Sequence, residues 1–561
     1  MKNIFFTFFT LINTFLISQD FTNNFSNPVK IPIILSGNFG EIRNNHFHSG
    51  IDIKTKGSSG IKIFAIQDGY ISRIKVSPSG YGKAIYLNHS NGLTSVYGHL
   101  SKFTSKLDSF VNSYQYFNKT YSIDIFFNAD DYVVKNGDLI GFSGNSGSSS
   151  APHLHFEIRD TKSQKVLNPA IFGFNSKDTS PPVIKSIFIY PLNNNSKINF
   201  NNDTVKFDVI KISKNKYSLN SSEIFVSGKL GFGVETYDLL DFAPNLNGVY
   251  SIELFINSLS VYKHVMDEFE FNQTKYVNSF IDFNLKKKYS INSHKSFIDK
   301  NNRLDIYKKL INNGIGDFNS NSIYNIKYVI KDFNGNESSL NFDLISIQSQ
   351  DTIQNYNYNF KCEVENIYQK SNLILKFKKN TFYNDINFKI DIISSSDESL
   401  SDFFKIHDEN TPVHIPYQIK IELDSLNNKL KNKVVICSEL NSSIDCYHSY
   451  WDNNFIISEV DVLGTFYATI DTVKPVIKEK LFKYDLSSNP LISFNISDHL
   501  SGIKKYDAYI DDKWVLFEYD KKNDLIKHFF DNKIQKGQHQ LKIIVYDKVD
   551  NKSQVILDFI K

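Results

Sequence analysis

From Pro28 to Phe172 the chain is written as short runs of branched and aromatic residues cut by glycine: IKIFAIQ, DGYISRIKV, SGYGKAIYLNH and NGLTSVYGHL. Turn residues recurring at roughly 8–12-residue spacing are the mark of an all-β sheet or barrel-like core, because each run is long enough for one strand and no more. One segment breaks the pattern. Leu100, Phe103, Leu107, Phe110, Val111 and Tyr114 recur at helical spacing, which predicts an amphipathic helix inserted between His99 and Val134, followed by a strand at YSIDIFF.

At 561 residues the chain exceeds what one hydrophobic core organises, so several domains are expected. The linker KDTSPPV, residues 177–183, ends the N-terminal domain, since paired prolines favour extended chain. It also opens a repeat. DTSPPVIKS from Asp178 returns as DTVKPVIKE from Asp471, and VIKDFNGNESS from Val329 is echoed by VYDKVDNKSQ from Val545. Pro-led openings and β runs closing on Asp/Asn turns suit immunoglobulin-like sandwiches. The runs SNLILKFKK and YQIKIELDS place a further sandwich between the repeats. The expected division is 1–18, a secretory signal; 19–176; and sandwiches over 177–350, 351–470 and 471–561.

The signal rests on Lys2 followed by an apolar run from Ile4 to Ile17, which ends at Ser18 and is shorter than the ~20 residues a spanning helix needs. With no other such run, no membrane span is expected after cleavage. A net charge of +3, from 63 basic and 60 acidic residues spread along the chain, gives no reason to expect a nucleic-acid partner. Cys362, Cys437 and Cys446 form no C-x-x-C pair, which argues against a zinc-thiolate site. Cys437 and Cys446 flank the turn-like ELNSSID, where a hairpin disulfide and two buried thiols are both compatible with the sequence.

Six of the 14 histidines, His46, His48, His89, His99, His153 and His155, fall in the first 160 residues, so any chemistry is expected there. In NHFHSGIDIK, His48 and Asp52 flank Gly50, expected to let the backbone turn so that both side chains converge. With His155 they make two imidazoles and a carboxylate, three ligands that leave a fourth position for water, as catalytic zinc requires. His153 stands two residues before His155 in APHLHFEI, so on a strand both point into one cavity, and one can ligate while the other assists. His99, in SVYGHL, is the second candidate assistant. His46, an alternative ligand that has no acid four residues on, is assigned to a contact behind the ligands or to packing, His89 to a hydrogen bond or the surface, Arg43 to an ion pair with a substrate-carboxylate clamp as its other role, and GNSGSSS to a flexible rim.

The ordered set HSGID, YGHL and GFSGNSG…PHLHFE resembles the lysostaphin-like, or LytM-domain, zinc endopeptidases over residues 36–162. The resemblance implies a compact antiparallel β core, zinc held by His48, Asp52 and His155, and His99 and His153 as catalytic histidines beside the metal-bound water that attacks. It also implies peptidoglycan stem peptides or cross-bridges as substrate. All five positions hold the expected residue type, unlike catalytically silent members that only bind the wall or activate amidases. The stretch from Ser101 to Val133 is longer than in minimal members. The whole is expected to be mainly β, a LytM-type core with one helical insert followed by β-sandwich domains. Export to a periplasm or cell envelope of Gram-negative type is the expectation, with a D-alanyl to diaminopimelyl cross-link as substrate and the sandwiches free to engage an envelope protein.

Overall fold

The computed structural model describes residues 25–561 apart from 222, 349–358, 396–398, 424–425, 441–442, 490 and 531–533. The proposed signal, 1–18, lies outside the described residues. Strands dominate, and the sheets of the N-terminal domain are antiparallel.

Its main sheet runs through seven strands: β1 Leu35–Gly37, β2 Ile51–Lys54, β3 Gly69–Val76, β4 Lys83–His89, β5 Leu93–Leu100, β6 Ile123–Phe126 and β7 His153–Asp160. Their spatial order is β1-β2-β7-β5-β4-β3-β6. The last of these seven in sequence therefore lies inside the sheet, between the strands that carry Asp52 and His99. Ile53, Ile74, Ile85, Leu87, Leu154, Phe156 and Ile158 fill one core beneath this sheet. The helix, α1, spans Ser105–Asn118 and buries Leu107 and Val111 against that core. Leu100 and Phe103, read as part of its periodicity, belong instead to strands leading into it. Period alone does not separate a helix from the buried strand ends before it.

Beyond the linker, three further apolar cores form. The first surrounds a sheet system that includes β8 Val183–Pro191, β9 Phe225–Leu239 and β10 Leu246–Asn247. The second lies between two five-stranded sheets, and the last between two four-stranded sheets that include β11 Val476–Leu481 and β12 Leu491–Ser497. Cys437 and Cys446 face each other across an antiparallel pair and are joined as a disulfide, while Cys362 is a buried free thiol. Short helical turns over residues 271–289, not anticipated from the sequence, carry Val277 and Phe280 into a cluster with Phe39, Phe47 and Val166. The N-terminal domain and its neighbour thus share buried apolar surface across the Pro-rich linker.

Candidate metal centre

Antiparallel register sets His155 directly opposite Asp52, and side chains opposite one another in a ladder share a face. His48 reaches the same point from the turn before β2. Gly50 makes this approach possible, but not through a left-handed turn: its φ is not positive. A Cβ there would stand 2.3 Å from the carbonyl oxygen of Phe156, so any side chain would push this turn off β7.

Three atoms converge. His48 Nε2 and His155 Nδ1 each lie 3.0 Å from Asp52 Oδ1 and 3.1 Å from one another, all in buried side chains. The other nitrogen of each ring is committed: His48 Nδ1 donates to the Asn38 carbonyl at 2.7 Å, and His155 Nε2 donates to Glu157 Oε1 at 2.8 Å. Those bonds orient both rings and turn the remaining nitrogens toward Asp52. Arg43 Nη2 holds the far oxygen, Asp52 Oδ2, at 3.0 Å. Donors about 2.0–2.1 Å from one tetrahedral ion stand roughly 3.3 Å apart, so this triangle suits a single small cation.

Electrostatics agree with that reading. Burial opposes ionisation of Asp52, yet the surrounding imidazoles, His48 first, hold its carboxyl well below the usual range. Burial pushes His48 down. Burial works in the same direction on His155, but the Asp52 and Glu157 carboxylates at its two nitrogens lift it to about 9.

His153 and His99 flank the triangle. His153 Nε2 lies 3.2 Å from Asp52 Oδ1, and its Nδ1 donates to the Ala151 carbonyl at 2.8 Å. His99 adopts a left-handed backbone, φ +59°, and donates from Nδ1 to the Ser146 carbonyl at 2.9 Å. Its ring centre is 4.8 Å from that of His153 and 5.7 Å from that of His155. Burial, reinforced by His155 and His153, pushes His99 down to about 3, which leaves it neutral. Ser146 belongs to the Gly/Ser run, which is bonded into the site: Ser146 Oγ donates to the Leu100 carbonyl, and Ser149 Oγ lies 3.2 Å from His153 Nδ1.

The two remaining candidate histidines fall outside. His46 is exposed and bonds the Asn44 carbonyl, and His89 is buried between the Asp68 carbonyl and Ser95 Oγ. Arg43 forms ion pairs with Asp52 and Glu41. Glu157 was missed. Wholly buried, it accepts from Ser49, Tyr81, His155 and Arg159, whose charge and hydrogen bonds outweigh burial and keep it ionised. The alternation His153, His155, Glu157, Arg159 on one strand face was the available signal.

The last sandwich meets this domain near the site. Lys522 Nζ donates to the Asn145 and Ser149 carbonyls, Lys83 pairs with Glu518 at 2.7 Å, and Tyr116 packs edge-on against Trp514. A cleft of about 540 Å³ lies between them, lined by residues of α1, Ser146 and Glu518.

The sequence model described as Peptidase family M23 matches residues 46–123, a span that takes in His48, Asp52 and His99. The N-terminal domain is an M23 peptidase domain. A Zu5-like domain matches residues 357–471. DD-carboxypeptidase/endopeptidase Mpg of Neisseria meningitidis is 32% identical over 112 residues, 20% of each chain. Glycyl-glycine endopeptidase ALE-1 of Staphylococcus capitis is 31% identical over 140 residues, 25% of this chain and 29% of that one. This chain spans about a fifth of the length of the Neisseria relative it matches. Among solved structures, the catalytic domain of lysostaphin from Staphylococcus simulans is 27% identical, covering 25% of this chain and 91% of that one, with a TM-score of 0.19. The M23 match ends at residue 123, and the triangle's third vertex, His155, lies beyond it on β7.

Proposed function

We propose that the chain is a secreted zinc metalloendopeptidase that hydrolyses peptide cross-links of peptidoglycan, with His48, Asp52 and His155 as metal ligands and His99 and His153 as catalytic residues. The observation that carries this reading is the triangle of His48 Nε2, Asp52 Oδ1 and His155 Nδ1, with sides of 3.0–3.1 Å, set inside an M23 domain. Two relatives support it by name, one a DD-carboxypeptidase/endopeptidase and the other a glycyl-glycine endopeptidase. Two imidazoles and one carboxylate are a borderline donor set that favours zinc over magnesium or calcium.

Zinc, when bound, supplies a Lewis acid for the scissile carbonyl and an acidified water, with a pKa of roughly 7. The chain supplies the rest. Asn38 and Glu157 hold the ligand rings in one tautomer and orientation. His99, neutral and tethered through Nδ1, presents Nε2 as a proton acceptor. His153, tethered through Nδ1 and beside Asp52, stabilises the oxyanion of the attacked carbonyl by donating from Nε2 when that nitrogen also carries a proton. The committed Nδ1 atoms keep both rings from turning away from the substrate.

Metal analysis of the purified protein together with digestion of cross-linked muropeptides tests the reading. About one zinc per chain and chelator-sensitive loss of cross-linked dimers are expected. Intact dimers after incubation with the zinc-loaded protein would overturn it.

A further inference from the structure

Asp178 and Asp471 open the two Pro-led repeats, and Asp332 and Asp547 close them. The two pairs are built alike. Asn336 Nδ2 donates to the Asp178 carbonyl and to Asp332 Oδ2, and Asn551 Nδ2 donates to the Asp471 carbonyl and to Asp547 Oδ2. Ser338 Oγ donates to the Pro182 carbonyl just as Ser553 Oγ donates to that of Pro475.

A third acid completes each set from a region where the sequences show no repeat. Val183, at the start of β8, pairs with Tyr237 of β9, and the next residue is Asp238. Val476, at the start of β11, pairs with Ser497 of β12, and the next residue is Asp498. Register thus delivers an aspartate to the same place twice. One carboxylate oxygen from each of Asp178, Asp238 and Asp332 lies within 4.8 Å of the others, and the same holds for Asp471, Asp498 and Asp547.

Acidic clusters are common on their own, but here buried oxygens have nothing to bond. Asp238 is 1% exposed and its Oδ1 has no partner; Asp178 Oδ2, in a buried side chain, and Asp498 Oδ1, in a half-buried one, have none either. A buried amide stands beside the first set on the neighbouring strand. Asn247 of β10 lies directly opposite Asp238, hence on the same face, and is 3% exposed with its Oδ1 unpartnered. Buried acceptors are normally satisfied, so several unsatisfied ones at one point mark a missing donor or cation. Among the described residues no Lys, Arg or His forms an ion pair with any of the six acids. Asp178, Asp238 and Asp332 line a cavity of about 40 Å³, enough for one ion.

We propose that the two aspartate clusters are duplicated calcium sites, one at each Pro-led junction. All the donors are carboxylate or amide oxygens, which suit a hard cation with a large oxygen shell and offer zinc neither nitrogen nor sulfur. The first site borders the M23 domain: its cavity is also lined by Asn38 and Phe39, and Asn38 exchanges hydrogen bonds with Gly248 while its carbonyl holds His48. Calcium there ties the linker to the loop that carries a ligand ring of the peptidase centre.

The test uses the full-length protein, stripped with chelator, reloaded with one equivalent of zinc, and titrated with calcium by calorimetry and thermal melting. About two calcium ions should bind per chain, with dissociation constants in the range from about 10 µM to 1 mM. Calcium at about 5 mM should raise the melting temperature by at least about 3 °C. Asp238→Asn and Asp498→Asn should each lower the stoichiometry to about one, while leaving the melting temperature in chelator unchanged or higher because a repelling charge is gone. That chelator arm separates loss of a site from failure to fold. No calcium bound at about 5 mM, or an unchanged stoichiometry in both variants, overturns the proposal. An equal response to magnesium overturns the choice of calcium.

Discussion

The peptidase triangle and the aspartate clusters are opposite solutions to gathering lone pairs in a protein interior. In the triangle every spare atom is already engaged: Asn38, Glu157 and Arg43 each hold the far side of a ligand group, and the three inward atoms stand 3.0–3.1 Å apart. In the cluster at Asp178, Asp238 and Asp332 one oxygen of each lies within a looser 4.8 Å of the others, and two oxygens, Asp178 Oδ2 and Asp238 Oδ1, have no partner. A small ion with a short, directional shell needs the first arrangement; a larger ion with a variable oxygen shell accommodates the second. The difference teaches that donor chemistry and the surrounding hydrogen bonds, rather than the number of acidic groups, distinguish these two kinds of candidate site.

Four substitutions sharpen or break this contrast. His48→Ala should have the largest effect, reducing zinc from about one per chain to near zero and cleavage to background, as read by metal analysis and muropeptide digestion. Retained zinc in that variant would mean that the triangle is not the metal centre. His153→Ala should lower kcat by roughly 10²–10⁴-fold with zinc content unchanged; parallel loss of metal would move His153 from assistant to ligand. Glu157→Gln should weaken zinc binding or activity by about 10–100-fold. By leaving Arg159 buried beside a neutral group it should also cost about 3–5 kcal/mol in a denaturant titration. An activity loss at wild-type stability would contradict the account of a tensioned second ring of contacts. Lys522→Ala, which removes the last sandwich's hold on the Asn145 and Ser149 carbonyls, should alter stability by no more than about 1 kcal/mol. Its sharper readout is faster limited proteolysis between the M23 domain and residues 471–561, and an unchanged digestion pattern would show that the contact does not hold the two together.

The candidate metal centre was largely legible because its residues sit in short, spaced motifs on adjacent strands. His48 and Asp52 are four apart, His153 and His155 two apart, and period-two geometry alone puts the latter pair in one cavity. Gly50 was rightly singled out for an incomplete reason: it relieves crowding against Phe156 on β7, a strand distant in sequence. Glu157 passed unnoticed because a glutamate in a β run reads as a solvent-facing residue until Arg159, Tyr81 and Ser49 are seen to enclose it.

The aspartate clusters show where such reading stops. Local pattern revealed the repeat at Asp178 and Asp471 and its closing Asp/Asn turns, since those residues recur in matching strings. Asp238 and Asp498 recur in no string, because strand register, which depends on packing across the whole sandwich, brings each of them beside the opening aspartate. Sequence by itself determined the β architecture, the helical insert and the repeat, and its motifs nominated five candidate site residues, all features of short stretches of chain. Only the tertiary structure decided which side chains share a face, which buried oxygens lack a partner and which domains share apolar surface, because these follow from contacts between segments far apart along the chain.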